Sequence, residues 1–131
     1  MYDQEKIENQ LASIVVDASL RIHKRLGPGL FESVYEEVLF YELEDKAGLS
    51  VKRQAPVQIR YDDLILPKAF FADLVVEDKL IIELKAVEEI KSLHKKQLLT
   101  YLRLTDLKLG LLVNFGGEWM KDNIKRVANN L

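Results

Sequence analysis

The charged residues most in need of a reason in this chain are those embedded in its apolar runs. Phe70-Phe71-Ala72-Asp73-Leu74-Val75-Val76 is followed by Glu77-Asp78-Lys79 and then by Leu80-Ile81-Ile82-Glu83-Leu84-Lys85. Runs this apolar suit central strands covered on both faces, where an embedded charge is costly unless it has a partner or a task. Glu83 and Lys85 lie two apart and project from one face of their strand. Pairing the strands around Asp78 sets Asp73 opposite Glu83 and requires an odd-length turn, whereas a two-residue turn at Asp78-Lys79 sets Asp73 against Leu84. Facing carboxylates repel, the more so when buried, unless a cation sits between them. Asp and Glu oxygens suit Mg²⁺ or Mn²⁺, which keep several waters and accept one or two carboxylates plus a substrate phosphate. The Lys85 ammonium would then hold or polarise a water for attack on phosphorus. A plainer alternative stands beside this one: Lys85 neutralises Glu83 at a strand end. The pattern Asp, spacer, Glu-x-Lys is short enough to leave both open.

Further candidates gather around this core. Gln97 and Tyr101 are four apart and share a helix face with Ile90, His94 and Leu104, so that face is expected to meet the sheet. An inward Gln can orient a water, a carboxylate or a phosphate, and Tyr101 offers a hydroxyl or a stacking ring; ordinary packing is the competing account. Glu32, near the start of an earlier helix, either complements the helix dipole for about 0.3–1 kcal/mol or adds a further carboxylate near the metal. His23 and His94 read as packed or hydrogen-bonded histidines, with His94, one turn before Gln97, better placed to touch a substrate. Lys91, Lys95 and Lys96 on the same helix, and Arg21, Lys24 and Arg25 on the first, are solvated faces unless both clusters border the Asp73–Glu83 edge and track a phosphate backbone. Trp119 is expected to anchor the tail.

The elements that must position these residues follow from periodicity. From Gln4 to Leu26, Ile7, Leu11, Ile14, Val15, Ala18, Ile22 and Leu26 form the stripe of an amphipathic helix, stopped by Gly27-Pro28-Gly29. A second helix is expected from Phe31 to Lys46, with Phe31, Val34, Tyr35, Val38, Leu39 and Leu43 inward and Gly48 as its stop. Period two then takes over through Val51, Arg53, Val57, Ile59 and Tyr61, interrupted at Pro56. Tyr61-Asp62-Asp63-Leu64 reads as a hairpin turn, with a return strand broken at Pro67 and resumed from Ala69 to Val76. Leu80 to Lys85 is the next strand, Val87 to Leu104 a helix, and Leu109 to Phe115 a short buried strand closed by Gly116-Gly117. The tail from Trp119 is expected to make a helical turn or two through Ile124 and Val127 and to fray at Asn129-Asn130. The order is α, α, β, β, β, α, β, a mixed α/β layer architecture in a single domain over residues 1–131.

Composition bounds the chemistry. A length of 131 residues fits one core, and 48% hydrophobic with 31% charged residues matches a globular chain, not a disordered one. No cysteine and two histidines exclude disulfides and thiolate zinc, and make a multi-histidine zinc site a poor fit. Any metal is therefore held by carboxylates. No apolar run approaches a membrane span, and Met1 to Glu5 lacks the basic start of a secretory signal, so the expected location is the cytoplasm and no membrane partner is expected. The formal net charge of −2 argues against a strongly basic nucleic-acid binder.

Leu26-Gly27-Pro28-Gly29-Leu30-Phe31-Glu32-Ser33-Val34-Tyr35 resembles the signature of the GxxExxY family, with Gly29, Glu32 and Tyr35 at the named positions. The likeness runs on through Arg53-Gln54, Ala72-Asp73-Leu74-Val75-Val76, Ile82-Glu83-Leu84-Lys85-Ala86, His94, Gln97 to Leu102 and Gly110 to Phe115, nearly the whole chain. That family is placed in the PD-(D/E)XK nuclease superfamily. The resemblance implies a restriction-endonuclease-like αβββαβ core, a central mixed sheet flanked by helices, here with an extra N-terminal helix. It further implies Asp73 and Glu83 as metal ligands with the Leu84 carbonyl as a third contact, Lys85 as catalytic lysine and Glu32 as the helix-borne acid. Gln97-x-x-x-Tyr101 is similar to the Q-x-x-x-Y element of RecB-type nucleases. Two departures stand out: Ala72 replaces the proline of the superfamily's name, and Glu32 stands where RecB-type members carry a histidine, so their substrate and polarity do not transfer. The expected function is Mg²⁺- or Mn²⁺-dependent hydrolysis of phosphodiester bonds in nucleic acid, with DNA favoured and His94, Lys91, Lys95 and Lys96 as a rim. The alternative is a nuclease-fold binding or assembly module acting through a homodimer or a protein partner, since so small a domain has little surface to grip a duplex.

Overall fold

Five strands form one mixed sheet in the order β1-β2-β3-β4-β5 in a computed structural model that describes residues 6–131. They are β1 (Val51–Tyr61), β2 (Leu64–Val76), β3 (Leu80–Lys85), β4 (Leu109–Asn114) and β5 (Ile124–Ala128). β3 and β4 run parallel and the other neighbours antiparallel, so the parallel step needs a crossover, supplied by helix α3 (Ser92–Thr105). Helices α1 (Ile7–Leu26) and α2 (Glu32–Phe40) cover one face. α3 covers the other, giving the three-layer α/β architecture expected of a restriction-endonuclease-like core with an added N-terminal helix.

α1 buries a narrow stripe of Leu11, Ala12, Val15, Ala18, Ser19 and Ile22. Small Ala12, Ala18 and Ser19 set the face that approaches the sheet, and Ile7, Ile14 and Leu26 of the expected stripe are exposed at its margins. The expected start at Gln4 lies outside the described residues. Gly27 ends the helix by donating its N–H to His23 O while taking φ 68 with extended ψ, a conformation open essentially only to glycine. α2 continues as a π-helical stretch, Tyr41–Lys46, that keeps Leu43 in register with Tyr35 and Leu39, all three fully buried. Phe31 and Val34, expected inward, face solvent instead, Phe31 at 82% exposure. The inward face is set by Tyr35, whose hydroxyl donates to Gly27 O at 2.6 Å and accepts Leu30 N–H at 3.2 Å while its ring stacks on Phe115 at 4.5 Å. The tyrosine of the Gly-x-x-Glu-x-x-Tyr segment thus clamps the glycine loop onto the core.

β1 is an edge strand, which is why it tolerates Pro56. Pro67 does not break β2 as expected. The pairing shifts register between Val57 with Phe70 and Ile59 with Leu66, so the proline sits in an irregularity of a continuous strand. The helix expected from Val87 begins only at Ser92. Val87 N–H and C=O are both taken by the Asn114 side chain, at 3.0 and 2.9 Å, which holds the chain out of helical geometry there. Leu98 and Leu102 anchor α3, each worth about 2 kcal/mol when fully buried. Leu98 rests on Gly110 of β4, where a β-carbon would lie 2.9 Å from its side chain. Leu104, placed by periodicity on the face expected to meet the sheet, is exposed. The tail forms β5, not helical turns, because the open edge of β4 offers unpaired backbone groups to Ile124–Ala128. Asn129 is tied down, its N–H to Lys108 O and its amide to Leu107 O, and does not fray. No helix among the described residues is long and apolar enough to cross a membrane.

Candidate active site

β2 and β3 pair Leu74 with Ile82, Val75 with Ile81 and Val76 with Leu80 across the three-residue turn Glu77-Asp78-Lys79. The turn is therefore odd in length, and the next position of that register sets Asp73 level with Glu83. There the ladder ends and the carboxylates take over from backbone carbonyls. Glu83 Oε2 accepts Asp73 N–H at 3.1 Å, and Asp73 Oδ2 accepts Leu84 N–H at 2.9 Å. Each acid is tethered to the other's strand at the point where the sheet opens.

The electrostatics follow from burial. Glu83 is buried, and desolvation together with the neighbouring Asp73 pushes its carboxyl up to about 9, against smaller downward pulls from the Asp73 N–H and the charge of Lys85. Lys85 is half-buried on the same strand face as Glu83. Among the described residues it takes part in none of the ion pairs, which involve Arg21, Lys46, Lys52 and Arg53. Lys85 thus acts on Glu83 through its charge at a distance and not through a contact ion pair.

Tyr101 arrives from α3. Its ring stacks on Phe70 of β2 at 3.7 Å, and its hydroxyl is pushed up first by burial and then by the charges of Glu83 and Asp73, while a hydrogen bond with Gln97 pulls the other way. Gln97 itself is exposed, so the Gln97–Tyr101 pair sits at the mouth of the site and not inside the core. His94 Nδ1 accepts Lys91 N–H at 3.1 Å, and both residues line an open cavity of about 410 Å³ with Val87, Glu88 and Glu89, beyond the end of β3. Lys95 and Lys96 are exposed on α3. The Arg21, Lys24 and Arg25 cluster belongs to α1, on the opposite face of the sheet, with Arg21 turned to Glu42 at 3.7 Å. His23 donates from Nε2 to Gly117 O at 2.8 Å, a structural role, and Trp119 is 71% exposed, so it is no buried anchor.

Glu32 is exposed in the first turn of α2. The helix acid that reaches the site is Glu36, one turn on, with its side chain only 12% exposed. Gln54 Nε2 donates to Glu36 Oε1 at 2.7 Å and to Asp73 Oδ1 at 3.2 Å, joining the two acids, and Arg53 holds Glu36 Oε2 from the other side at 3.1 Å. Glu36 follows the buried Tyr35 and precedes the exposed Glu37, and Gln54 lies between exposed Arg53 and half-buried Ala55, so apolar patterning marks neither; only the family likeness through Arg53-Gln54 points to Gln54.

Among the described residues no three acidic or imidazole side chains gather as a metal cage. The donor set is two carboxylates with neighbouring main-chain oxygens. A hard divalent ion that keeps several waters fits such a set, and a close carboxylate pair with Glu83 buried and Asp73 half-buried is the kind of anionic site that a cation stabilises.

A β1-β2-β3 meander, a parallel β3-α3-β4 crossover, and Asp73 facing Glu83-x-Lys85 where the sheet opens define a restriction-endonuclease-like α/β domain. The profile of the PD-(D/E)XK nuclease superfamily matches residues 9–127, and the chain belongs to that superfamily. No curated protein and no solved structure matches it.

Proposed function

We propose that the protein is a divalent-metal-dependent nuclease that hydrolyses phosphodiester bonds of DNA, and that within the superfamily it belongs to the GxxExxY group. The observation that carries this is the cross-tethered Asp73–Glu83 pair, with Lys85 on the same strand face and in no contact ion pair among the described residues. Asp73, Glu83 and the Leu84 carbonyl would hold Mg²⁺ or Mn²⁺, which when bound supplies Lewis acidity and neutralises phosphate charge. Lys85 orients the attacking water and stabilises the negative charge that develops on the phosphoryl oxygens. Tyr101 and Gln97 line the mouth and position the substrate, with Lys91, His94, Lys95 and Lys96 as the rim that tracks the backbone. Of the helix acids, Glu36 fits the supporting role better than Glu32. A cytoplasmic location agrees with this reading.

A second reading, a module working through a second copy or a protein partner, draws on the exposed Tyr61, Leu64, Ile65 and Leu66 at the tip of the β1–β2 hairpin. One experiment separates the two. Single-stranded, duplex and branched DNA, with matched RNA, are incubated with Mg²⁺ or Mn²⁺ and either wild type or Lys85→Ala. Cleavage lost by at least ~10²-fold in the variant, with its melting temperature unchanged, is expected. Equal cleavage by both, or none by either, refutes the nuclease reading.

A further inference from the structure

We propose that Gln54 is a positioning residue, whose carboxamide orients the Asp73 carboxylate and couples it to Glu36 before any cation arrives. This deepens the nuclease reading and rests on it. Gln54 takes φ 47 in the middle of β1. The other non-glycine residues with positive φ among the described ones, Asp62, Glu77, Asp78, Asp106, Asp122 and Asn130, lie in turns, at a helix end or in the tail. Glutamine has no local hydrogen-bonding habit that favours this conformation, so its surroundings must impose it. The β1–β2 ladder pairs Arg53 with Leu74 and Ala55 with Ala72, stepping past Gln54 and Asp73, and both side chains leave the strand pair together toward the open end of the sheet.

The consequence is a fully specified carboxylate. Gln54 Nε2 holds Asp73 Oδ1 at 3.2 Å, and Leu84 N–H holds Oδ2 at 2.9 Å. An amide nitrogen carries two protons, so one group serves Asp73 and Glu36 at once. Glu36 is braced in turn by Arg53, whose guanidinium also reaches Glu37 at 2.6 Å and lies 5.0 Å over the Phe40 ring. A neutral amide suits this position, because it orients Asp73 without competing with a cation for its charge, as a Lys or Arg there would.

The test uses the full chain, stripped of metal by a chelator. Gln54→Ala and Gln54→Gly both lack the carboxamide, but only the alanine keeps the backbone strain. Calorimetric titration with MnCl₂ is expected to show affinity weakened about 10–100-fold in both variants, as for loss of a group that orients a ligand. The glycine variant meanwhile melts about 3–6 °C above the alanine one. Affinity that follows stability, recovering in Gln54→Gly, or affinity unchanged in both, overturns the proposal. Should wild type bind no Mn²⁺, the metal-dependent reading fails by itself, and the metal-free protein then decides the role of Gln54. Melting shifts of Gln54→Ala and Asp73→Ala that combine non-additively uphold the bridge, and additive shifts overturn it.

Discussion

Replacing Glu83 by glutamine should stabilise the metal-free protein, in a manner that depends on pH. The folded carboxyl titrates at about 9 against an ordinary value of 4.5, because burial and Asp73 penalise its charge. Between these values the folded state binds a proton that the unfolded chain has released, so stability falls as the pH rises through the window. At pH 7 the chain has moved 2.5 units above the unfolded value. At about 1.4 kcal/mol per unit, this proton uptake costs about 3 kcal/mol, which a neutral side chain does not incur. Glutamine is close in shape, its oxygen can still accept Asp73 N–H, and its amide can donate to the Asp73 carboxylate. Glu83→Gln is therefore expected to melt about 10 °C above wild type at pH 7 in chelator and within about 3 °C of it at pH 5. Mn²⁺ should then raise the melting temperature of wild type more than that of the variant, since a cation relieves the same charge. Denaturation followed by circular dichroism at both pH values, with and without Mn²⁺, measures this. A gap independent of pH, or a variant less stable than wild type at pH 7, would refute the assignment of burial and Asp73 as the cause.

Asn114→Ala leaves Val87 N–H and C=O, Gly116 N–H and Asn123 Oδ1 without the partner they share, and should lower stability by about 3 kcal/mol in urea titration. Because Val87 follows Lys85 by two residues, cleavage should fall as well, even where the variant is fully folded. Tyr35→Phe keeps the Phe115 stack and removes the hydroxyl shared by Gly27 O and Leu30 N–H; a loss of about 1–2 kcal/mol is expected, with faster hydrogen exchange at Leu30 and unchanged Mn²⁺ affinity. A fall in metal affinity there would move Tyr35 from the loop to the site. Glu36→Gln should reduce cleavage at least ~10-fold while Glu32→Gln stays within about 2-fold. The opposite ranking in a steady-state assay would return the helix-acid role to Glu32.

Where one element's own periodicity decides the outcome, residue types sufficed. β3 runs from Leu80 to Lys85 as expected, and of the two turn lengths the sequence leaves open, the three-residue turn that sets Asp73 level with Glu83 is the one formed. Where a neighbour decides, they misled. Ile124 and Val127 are three apart and imitate a helical step, but the open edge of β4 makes their segment a strand. Phe31 and Val34 have the right type for a core, yet the Tyr35 clamp rotates them into solvent. Glu32 and Glu36 lie on one helix a turn apart, and no pattern within the helix tells which turn meets the sheet; Gln54 and Arg53, from a strand elsewhere in the chain, select Glu36. Gln54 enters the sequence reading only as part of the family likeness through Arg53-Gln54, and its role stays hidden there because its residue type carries no preference for the backbone angle on which that role depends.

The net charge of −2 also takes on a different meaning once its bearers have places. Arg21 and Lys46 lean on Glu42, Lys52 on Asp78, and Arg53 on Glu36 and Glu37, so these cations are committed within the fold. Asp73 and Glu83 are drawn together at one point, where a divalent ion would offset both. What remains is Lys85 on the strand face of Glu83, Lys91 beside Glu88 and Glu89 at the cavity beyond β3, and the exposed Lys95 and Lys96 on the helix that carries Tyr101. A polyanion approaching from the α3 side therefore meets lysines interleaved with Glu88 and Glu89, while the molecule as a whole neither attracts nor strongly repels it. Long-range steering is weak in such a case, and binding depends on a few lysine–phosphate contacts that salt readily screens. On the proposed nuclease reading, orientation at the reacting phosphate would then have to come from short-range contacts with Lys85, Gln97 and Tyr101, and the positioning of these groups, more than overall charge, would set turnover.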